Sequence, residues 1–402
     1  MTLSRIFKGD KVIWVVFLLL SIVSLVEVYS SIGLYAYSFF SSKTPTSLFL
    51  RHFVIVAVTY LVIILLSRVN YRVFSRFAML GYWITLVLLA VMLALQGGRW
   101  FRIPVIGQFQ PSEVAKVVLI VFVARMLALK KEQLNELGTF LQLLVLIAFP
   151  VALILPENFS MAALIFVVCY VMMLIGGANR KYWFRLLGIL VLVGGVAVFV
   201  MLNRNAGVAD GEGGEVLHRS GIWAERIDHW LHPQPDELTQ ENMSRMAIAR
   251  GGLLGAGIGN TVHARLMTQA HNDFIYAIII EETGMIGGII VFVLYSILFF
   301  RCIRLAYKCK GRFGALTVSG MGMVIYLQAL VNMSVAVGVL PVTGQTLPFI
   351  SYGGTAYLFM GVGLGIIQSV AADVYAKETK PVPELKNDNI ESIESNDNES
   401  NS

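Results

Sequence analysis

Residues 12–30 read VIWVVFLLLSIVSLVEVYS, nineteen positions interrupted by a single carboxylate, Glu27, and this run decides the fold. A helix of that length is roughly 28 Å long at about 1.5 Å per residue, close to the ~30 Å thickness of a hydrocarbon core. Nine similar runs follow, near 50–67, 77–95, 113–129, 138–155, 160–178, 182–203, 280–300, 313–338 and 352–374. The chain is therefore expected to be an all-α polytopic membrane protein with about ten transmembrane helices. Composition agrees, because 57% apolar and 14% charged residues lie far from the soluble globular range. The first run lacks a small-residue cleavage site, so it reads as a retained span and not as a signal peptide.

The basic residues orient these spans. Arg5, Lys8 and Lys11, then Arg68, Arg72 and Arg76, then Lys130 and Lys131, then Arg180, Lys181 and Arg185, then Arg301, Arg304, Lys308, Lys310 and Arg312 fall in alternate loops. Among basic residues, the short loops between them carry only Lys43, Arg99 and Arg102, the long 204–272 segment aside. By the positive-inside rule both termini are cytoplasmic. The net charge of +6 expresses this bias, so nucleic acid is not required as a partner. Cys169 lies in a span and Cys302 and Cys309 lie beside a cytoplasmic basic loop, which leaves no disulfide framework and no metal-ligand spacing. The expected organisation is a cytoplasmic N-terminus (1–11), a ten-helix membrane domain (12–375) with a large extracytoplasmic loop at about 204–272, and a polar, disordered cytoplasmic tail (376–402).

Two polar segments interrupt the spans on the outer side, and a polar cluster that is costly beside lipid marks function. The first holds Gly97-Gly98-Arg99-Trp100 and then Gln110-Pro111-Ser112-Glu113-Val114-Ala115-Lys116. Pro111 suits the first turn of a helix, which puts Glu113 and Lys116 at i, i+3 on one face. They are read either as substrate-binding charges or as a structural ion pair. Trp100 is also the residue type that interfacial aromatic belts recruit. The second segment holds Arg226–Pro233, Arg250-Gly251-Gly252-Leu253-Leu254-Gly255-Ala256-Gly257-Ile258-Gly259, and His271-Asn272-Asp273-Phe274 with Glu281-Glu282-Thr283-Gly284. Its glycines permit tight turns or close backbone approach, and no Gly-Lys-Ser/Thr follows to make a P-loop. His218, His229 and His232 match no common zinc spacing, so no protein metal site is expected.

Asp273 carries two readings, a helix N-terminal carboxylate satisfying orphan N–H groups or a catalytic base in a partly desolvated cavity. Glu281 is about 12 Å further along the axis, too far to be its acid/base partner, so Glu281 and Glu282 are assigned to holding the fold or the cavity. A last patch, Gly338–Thr355, contains Pro341, Thr343, Gly344, Pro348, Ser351, Gly353 and Gly354 and reads as a re-entrant turn. Ser351 is placed in a hydroxyl-lined cavity and not as a nucleophile, because no Ser-x-x-Lys or Lys-Thr-Gly motif occurs.

Together these motifs resemble the SEDS family (shape, elongation, division and sporulation) of polytopic peptidoglycan glycosyltransferases. The resemblance spans about 12–375 and rests on Gly98-Arg99-Trp100, Gln110-Pro111-Ser112-Glu113 with Lys116, Gly251-Gly252 with Gly255 and Gly257, His271-Asn272-Asp273-Phe274 with Glu281-Glu282, and Leu340-Pro341-Val342-Thr343-Gly344 with Leu347-Pro348-Phe349-Ile350-Ser351-Tyr352-Gly353-Gly354. The chain departs from the family's pattern at Leu155–Ser160 and at Met267–Ala270.

The resemblance implies lipid II polymerisation in the inner membrane, with Asp273 as the essential aspartate. Arg99, Trp100, Glu113, Lys116, Arg250, His271 and Ser351 would bind substrate, and Arg99, Lys116 and Arg250 would meet the pyrophosphate. A divalent cation assisting that leaving group is compatible with the resemblance; no other cofactor is evident. The implied partners are a class B penicillin-binding transpeptidase and other divisome proteins at the septum, since the Arg226–Pro233 segment and the acidic tail favour the division branch over the elongation branch. A lipid II flippase and a non-catalytic divisome scaffold are the alternatives. A flippase built on inverted repeats is disfavoured because the two halves show no clear internal repeat.

Overall fold

The computed structural model describes residues 7–38, 45–94, 101–103, 107–204, 226, 230, 239–267 and 271–378. Its helices in chain order are α1 (Lys11–Ser38), α2 (Pro45–Arg68), α3 (Arg72–Ala94), α4 (Pro111–Leu129), α5 (Leu137–Ile154), α6 (Phe159–Ile175), α7 (Arg180–Arg204), α8 (Gln240–Gly251), α9 (Ile275–Lys308), α10 (Arg312–Ala336) and α11 (Gly354–Glu378). All but α8 correspond one for one to the ten apolar runs. On length and composition alone, seven of them qualify as spans among the described residues. Of the other three, α4 carries Glu113, Lys116 and Arg125, and α6 has only 17 residues.

Several boundaries move from their predicted places. α1 runs on to Ser38, α9 starts at Ile275 and ends at Lys308, and α11 continues to Glu378, two residues beyond the expected start of the tail at 376. A helix can extend past the hydrocarbon core wherever its polar ends meet water, so hydropathy underestimates helix length. One element was not anticipated in an all-α chain. β1 (Phe101–Ile103) and β2 (Gly107–Phe109) form a two-stranded antiparallel hairpin with Phe101 opposite Phe109, leading directly into α4. Most of the predicted loop 204–272 and the tail beyond Glu378 lie outside the described residues.

Local sequence accounts for the starts of the key helices. Gln110 is extended (φ −109°, ψ 114°) and Pro111 takes the first turn of α4, where its missing N–H costs nothing. The Asn158 side chain accepts from Met161 N at 3.0 Å to cap α6, and Thr239 Oγ1 accepts from Asn242 N at 3.2 Å to cap α8. Asp10 Oδ1 accepts from Val12 N at 2.9 Å at the head of α1.

α10, α11 and α4 form the interior of the bundle, while α2 and α3 pack on it and turn exposed apolar faces outward. At one end, Asp10 Oδ2 accepts from Arg301 Nε at 2.7 Å and from Tyr375 Oη at 2.6 Å, and Asp10 N donates to Gln368 Oε1 at 2.7 Å. The start of α1, the end of α9 and the end of α11 are thereby joined, so the first and last helices reach the same end of the bundle. The polar loop segments 252–274 and 337–353 lie at the other end.

Candidate active site

The site is built where α9 breaks. Gly284 has φ +76° and ψ −178°, which divides α9 into a short segment from Ile275 and a long one running to Lys308. The loop after α8 wraps this break through backbone contacts. Gly252 O accepts from Met285 N at 2.9 Å, Glu281 O accepts from Ala256 N at 2.8 Å, and Glu282 O accepts from Gly257 N at 2.9 Å. A Cβ at Gly251 would lie 2.0 Å from Ile280 O, and one at Gly255 would lie 2.2 Å from Glu282 O. The glycine cluster therefore serves close backbone approach, the use that its sequence allowed.

Glu281 fixes the same loop from inside. Its fully buried carboxylate accepts from Arg250 Nη1 at 2.7 Å, Val262 N at 3.0 Å, His263 Nδ1 at 2.9 Å and Thr261 Oγ1 at 2.5 Å. Glu282, also buried, accepts from Ser30 Oγ on α1. Glu281 thus ties the loop after α8 to the first segment of α9, and Glu282 ties that segment to α1.

Asp273 lies one residue before Phe274, the N-cap of α9. The turn that carries it is clasped by the loop 337–353. Ser351 Oγ donates to Asn272 O at 2.6 Å and accepts from Leu347 N at 2.7 Å, and Tyr352 N donates to His271 O at 3.0 Å. Gly344 has φ +67°, and a Cβ there would be 3.8 Å from Asp273 Oδ2, so the carboxylate faces a backbone that carries no side chain. His271 is buried, which lowers its imidazole pKa to about 4 and keeps it neutral at neutral pH. Its ring meets Tyr352 edge-on at 5.7 Å.

The clasping loop is itself anchored on several sides. Tyr295 Oη on α9 donates to Pro348 O. Ser24 Oγ on α1 donates to Ile350 O at 2.8 Å and pairs with His52 Nε2 of α2 at 2.8 Å. Phe349 sits in the left-handed region at φ +63°, held between Phe17 and Tyr357 at ring distances of 5.1 and 5.9 Å. A non-glycine residue there costs on the order of 1–3 kcal/mol and persists only where its surroundings over-determine it. Arg226 Nη1 donates to Val342 O at 3.2 Å and Trp230 Nε1 to Gly338 O at 3.1 Å, which brings these two residues onto the stretch that contains Pro341 and Thr343. Gly353 and Gly354 lead into α11, with Gly353 O accepting from Tyr357 N at 3.0 Å.

Lys116 occupies a different place from the one expected of a pyrophosphate ligand. It is completely buried, forms an ion pair with Glu113 at 2.8 Å, and donates to Gln328 Oε1 of α10 at 2.8 Å. Gln328 Nε2 then donates to Thr346 O at 2.9 Å, so Lys116 acts on the clasping loop through an intermediate side chain. Arg250 Nη1 is likewise committed, to Glu281 and to Asn260 O at 3.0 Å, although its side chain is 37% exposed. Arg99, Trp100, His218, His229 and His232 lie outside the described residues.

Among the contributors that the sequence does not single out are Ser24, His52, Gln328 and Asn332. All are uncharged polar residues in apolar helices. The available signal was Gln328 and Asn332 at i, i+4, since polar side chains inside a span mark function by default.

Among the described residues, ten long helices, one of them broken at a glycine, together with an aspartate held by a buried polar loop, define an all-helical multi-pass membrane protein with an enzyme-like site. A model of the FtsW/RodA/SpoVE family, described as cell cycle proteins, matches residues 10–376, and this chain belongs to that family. Among its relatives, a probable peptidoglycan glycosyltransferase FtsW of Geobacter metallireducens is 31% identical over 322 residues, which is 77% of this chain and 80% of the relative. The Enterococcus hirae protein of the same description is 28% identical over 406 residues, covering 94% and 97% of the two chains. A solved chain from a peptidoglycan synthase complex that coordinates polymerisation and crosslinking superimposes with a TM-score of 0.70 at 25% identity, covering 91% of this chain and 98% of that one. The rod shape determining protein RodA of Thermus thermophilus shares the fold, with a TM-score of 0.62, 23% identity and coverage of 91% and 98%.

Proposed function

We propose that this protein is a peptidoglycan glycosyltransferase that polymerises lipid II into glycan strands at the septum, in the division branch of its family. The observation that carries this reading is the placement of Asp273 on a turn clasped by loop 337–353, with its carboxylate against Gly344. Asp273 takes the proton of the acceptor sugar's 4-hydroxyl as that oxygen attacks the anomeric carbon of the lipid-linked donor strand. The bond from that carbon to the pyrophosphate oxygen breaks, its electron pair leaves with the polyprenyl pyrophosphate, and a single displacement inverts the centre. Cations positioned for the developing charge lower such a barrier. Arg99 and the exposed part of Arg250 are assigned to that task, and Trp100, the residue after Arg99 in the sequence, to substrate contact. Lys116 and Glu113 support the clasping loop from below, and His271 and Ser351 shape its contact with Asp273.

Among the described residues no group of three or more His, Cys, Asp or Glu is arranged to hold a metal ion, so a divalent cation assisting the leaving group would be held mainly by the pyrophosphate oxygens. The glycan strand produced here is the substrate of a crosslinking enzyme. A class B penicillin-binding transpeptidase fits as the partner, consistent with the synthase complex that contains the structural relative.

The test is polymerisation of lipid II by the purified protein together with that transpeptidase. Asp273→Asn should insert and fold yet lose activity by about 10²–10⁴-fold, the usual cost of losing a general base. An Asp273→Asn protein that polymerises near the wild-type rate would sink the assignment and leave a flippase or a scaffold as the better account.

A further inference from the structure

Asn332, on the buried face of α10, commits both hydrogens of one amide nitrogen. Its Nδ2 donates to Asp273 O at 2.8 Å and to Gln345 O at 2.7 Å. The residue is 1% exposed, and its Oδ1 is buried with no donor among the described residues. A buried amide oxygen without a donor works against stability, so packing alone does not explain an asparagine here. Its contribution is a fixed distance between the backbone at Asp273 and the backbone at Gln345.

That distance matters because Gly344, the neighbour of Gln345, faces the carboxylate: a Cβ built there would lie 3.8 Å from Asp273 Oδ2. Ser351 and Tyr352 tie Asn272 and His271 to the same loop, and the Asn332 bond reaches the carbonyl of the aspartate itself. Gln328, one turn earlier on α10, holds Thr346 in the same manner and connects it to Lys116. Asparagine suits the position because it supplies two hydrogens from one nitrogen on a short stem. Aspartate has the same shape, yet when ionised it offers no donor and would set a negative charge against two carbonyls.

We propose that Asn332 is the positioning residue of Asp273, setting where the carboxylate is presented to the acceptor hydroxyl. The inference rests on Asp273 being the general base. Misplacement of a reacting group by about 1 Å is enough to slow a reaction on the order of 10²-fold while leaving substrate binding intact.

The experiment measures kcat and KM for lipid II polymerisation across pH, using the full chain with its transpeptidase partner. Asn332→Ala should lower kcat by about 10- to 100-fold with KM within about threefold of wild type. Asn332→Asp should in addition move the acidic limb of kcat/KM upward by about one pH unit, because a second carboxylate disfavours ionisation of Asp273. A merely structural residue would reduce the yield of folded enzyme and leave both the kcat of the folded fraction and its pH limb in place. If Asn332→Ala does not fold, Asn332→Ser retains one donor and should show a smaller loss confined to kcat. The proposal fails if folded Asn332 variants keep wild-type kcat and an unmoved limb while Asp273→Asn is inactive. It also fails, together with the base assignment, if Asp273→Asn polymerises normally.

Discussion

At the residue scale, Lys116 shows what a sequence can and cannot disclose. The Pro-x-Glu-x-x-Lys spacing was sufficient to put Glu113 and Lys116 on one helical face, and the 2.8 Å ion pair follows from it. Sequence had no means of identifying the third member, Gln328, because it lies 212 positions away and is brought in only by packing of α10 on α4. With that partner known, the expectation for Lys116→Met changes from a loss of substrate binding to a loss of stability. Removing one member of a buried ion pair costs about 3–5 kcal/mol, since the other charge is left without compensation. The melting temperature in detergent should therefore fall for Lys116→Met and recover substantially in the double variant Glu113→Gln, Lys116→Met. Equal melting temperatures for wild type and Lys116→Met would instead return Lys116 to the substrate. His271 yields a second prediction, of opposite dependence on surroundings. Burial lowers its pKa from near 6.5 to about 4, so between those values the unfolded chain binds a proton that the folded chain refuses. Stability is thus lost as pH falls from about 6.5 toward 4, with none of this penalty above 6.5. Melting curves at pH 7.5 and pH 5 should show a smaller acid-induced drop for His271→Gln than for wild type, and identical drops would contradict the burial argument.

At the level of elements, the ten apolar runs were legible because hydropathy reports the one property that lipid demands of a helix. The break in α9 was not legible, since hydropathy marks a span only from about 280 to 300 and a lone glycine at 284 is tolerated in many helices. What identifies the break is the partner, the glycine-lined turn after α8, and that pairing exists only in three dimensions. The hairpin 101–103/107–109 was missed because three-residue strands carry too little alternation to register as a pattern. The α8–α9 junction should be intolerant of even one methyl group. At Gly255 φ is +82° and a Cβ would lie 2.2 Å from Glu282 O, a contact with backbone that no rotamer change relieves. Gly255→Ala should destabilise by about 2 kcal/mol or more and separate the loop from Glu281, whereas Gly138→Ala, where nothing lies within 4 Å, should be close to neutral. Comparison of the two melting temperatures tests this, and a neutral Gly255→Ala would mean that the backbones do not approach so closely in the membrane.

For the molecule as a whole, sidedness decides whether the proposed chemistry faces its substrate. The basic loops 68–76, 130–131, 180–185 and 301–312 alternate with weakly charged ones, and the structure places the ends of α1 and α11 together through Asp10, Arg301, Gln368 and Tyr375. Lys308 and Glu378 pair at 3.0 Å near that same end. The turn at 271–273 and the loop 337–353 lie at the opposite end, which the positive-inside rule assigns to the exterior. A polymerase whose acceptor and donor strands are both exported must carry Asp273 on that face. Single cysteines at Ser220 and Gln269, in the segment that the positive-inside rule assigns to the exterior, should react with a membrane-impermeant thiol reagent applied to spheroplasts, while one at Ser392 should react only after the membrane is permeabilised. The native cysteines leave this readable, because Cys169 and Cys302 are buried and Cys309 lies beside the basic loop on the inner end, so a variant with Cys309→Ser provides a low background. Labelling at Ser392 before permeabilisation would invert the molecule, put Asp273 on the cytoplasmic face and remove it from any exported glycan.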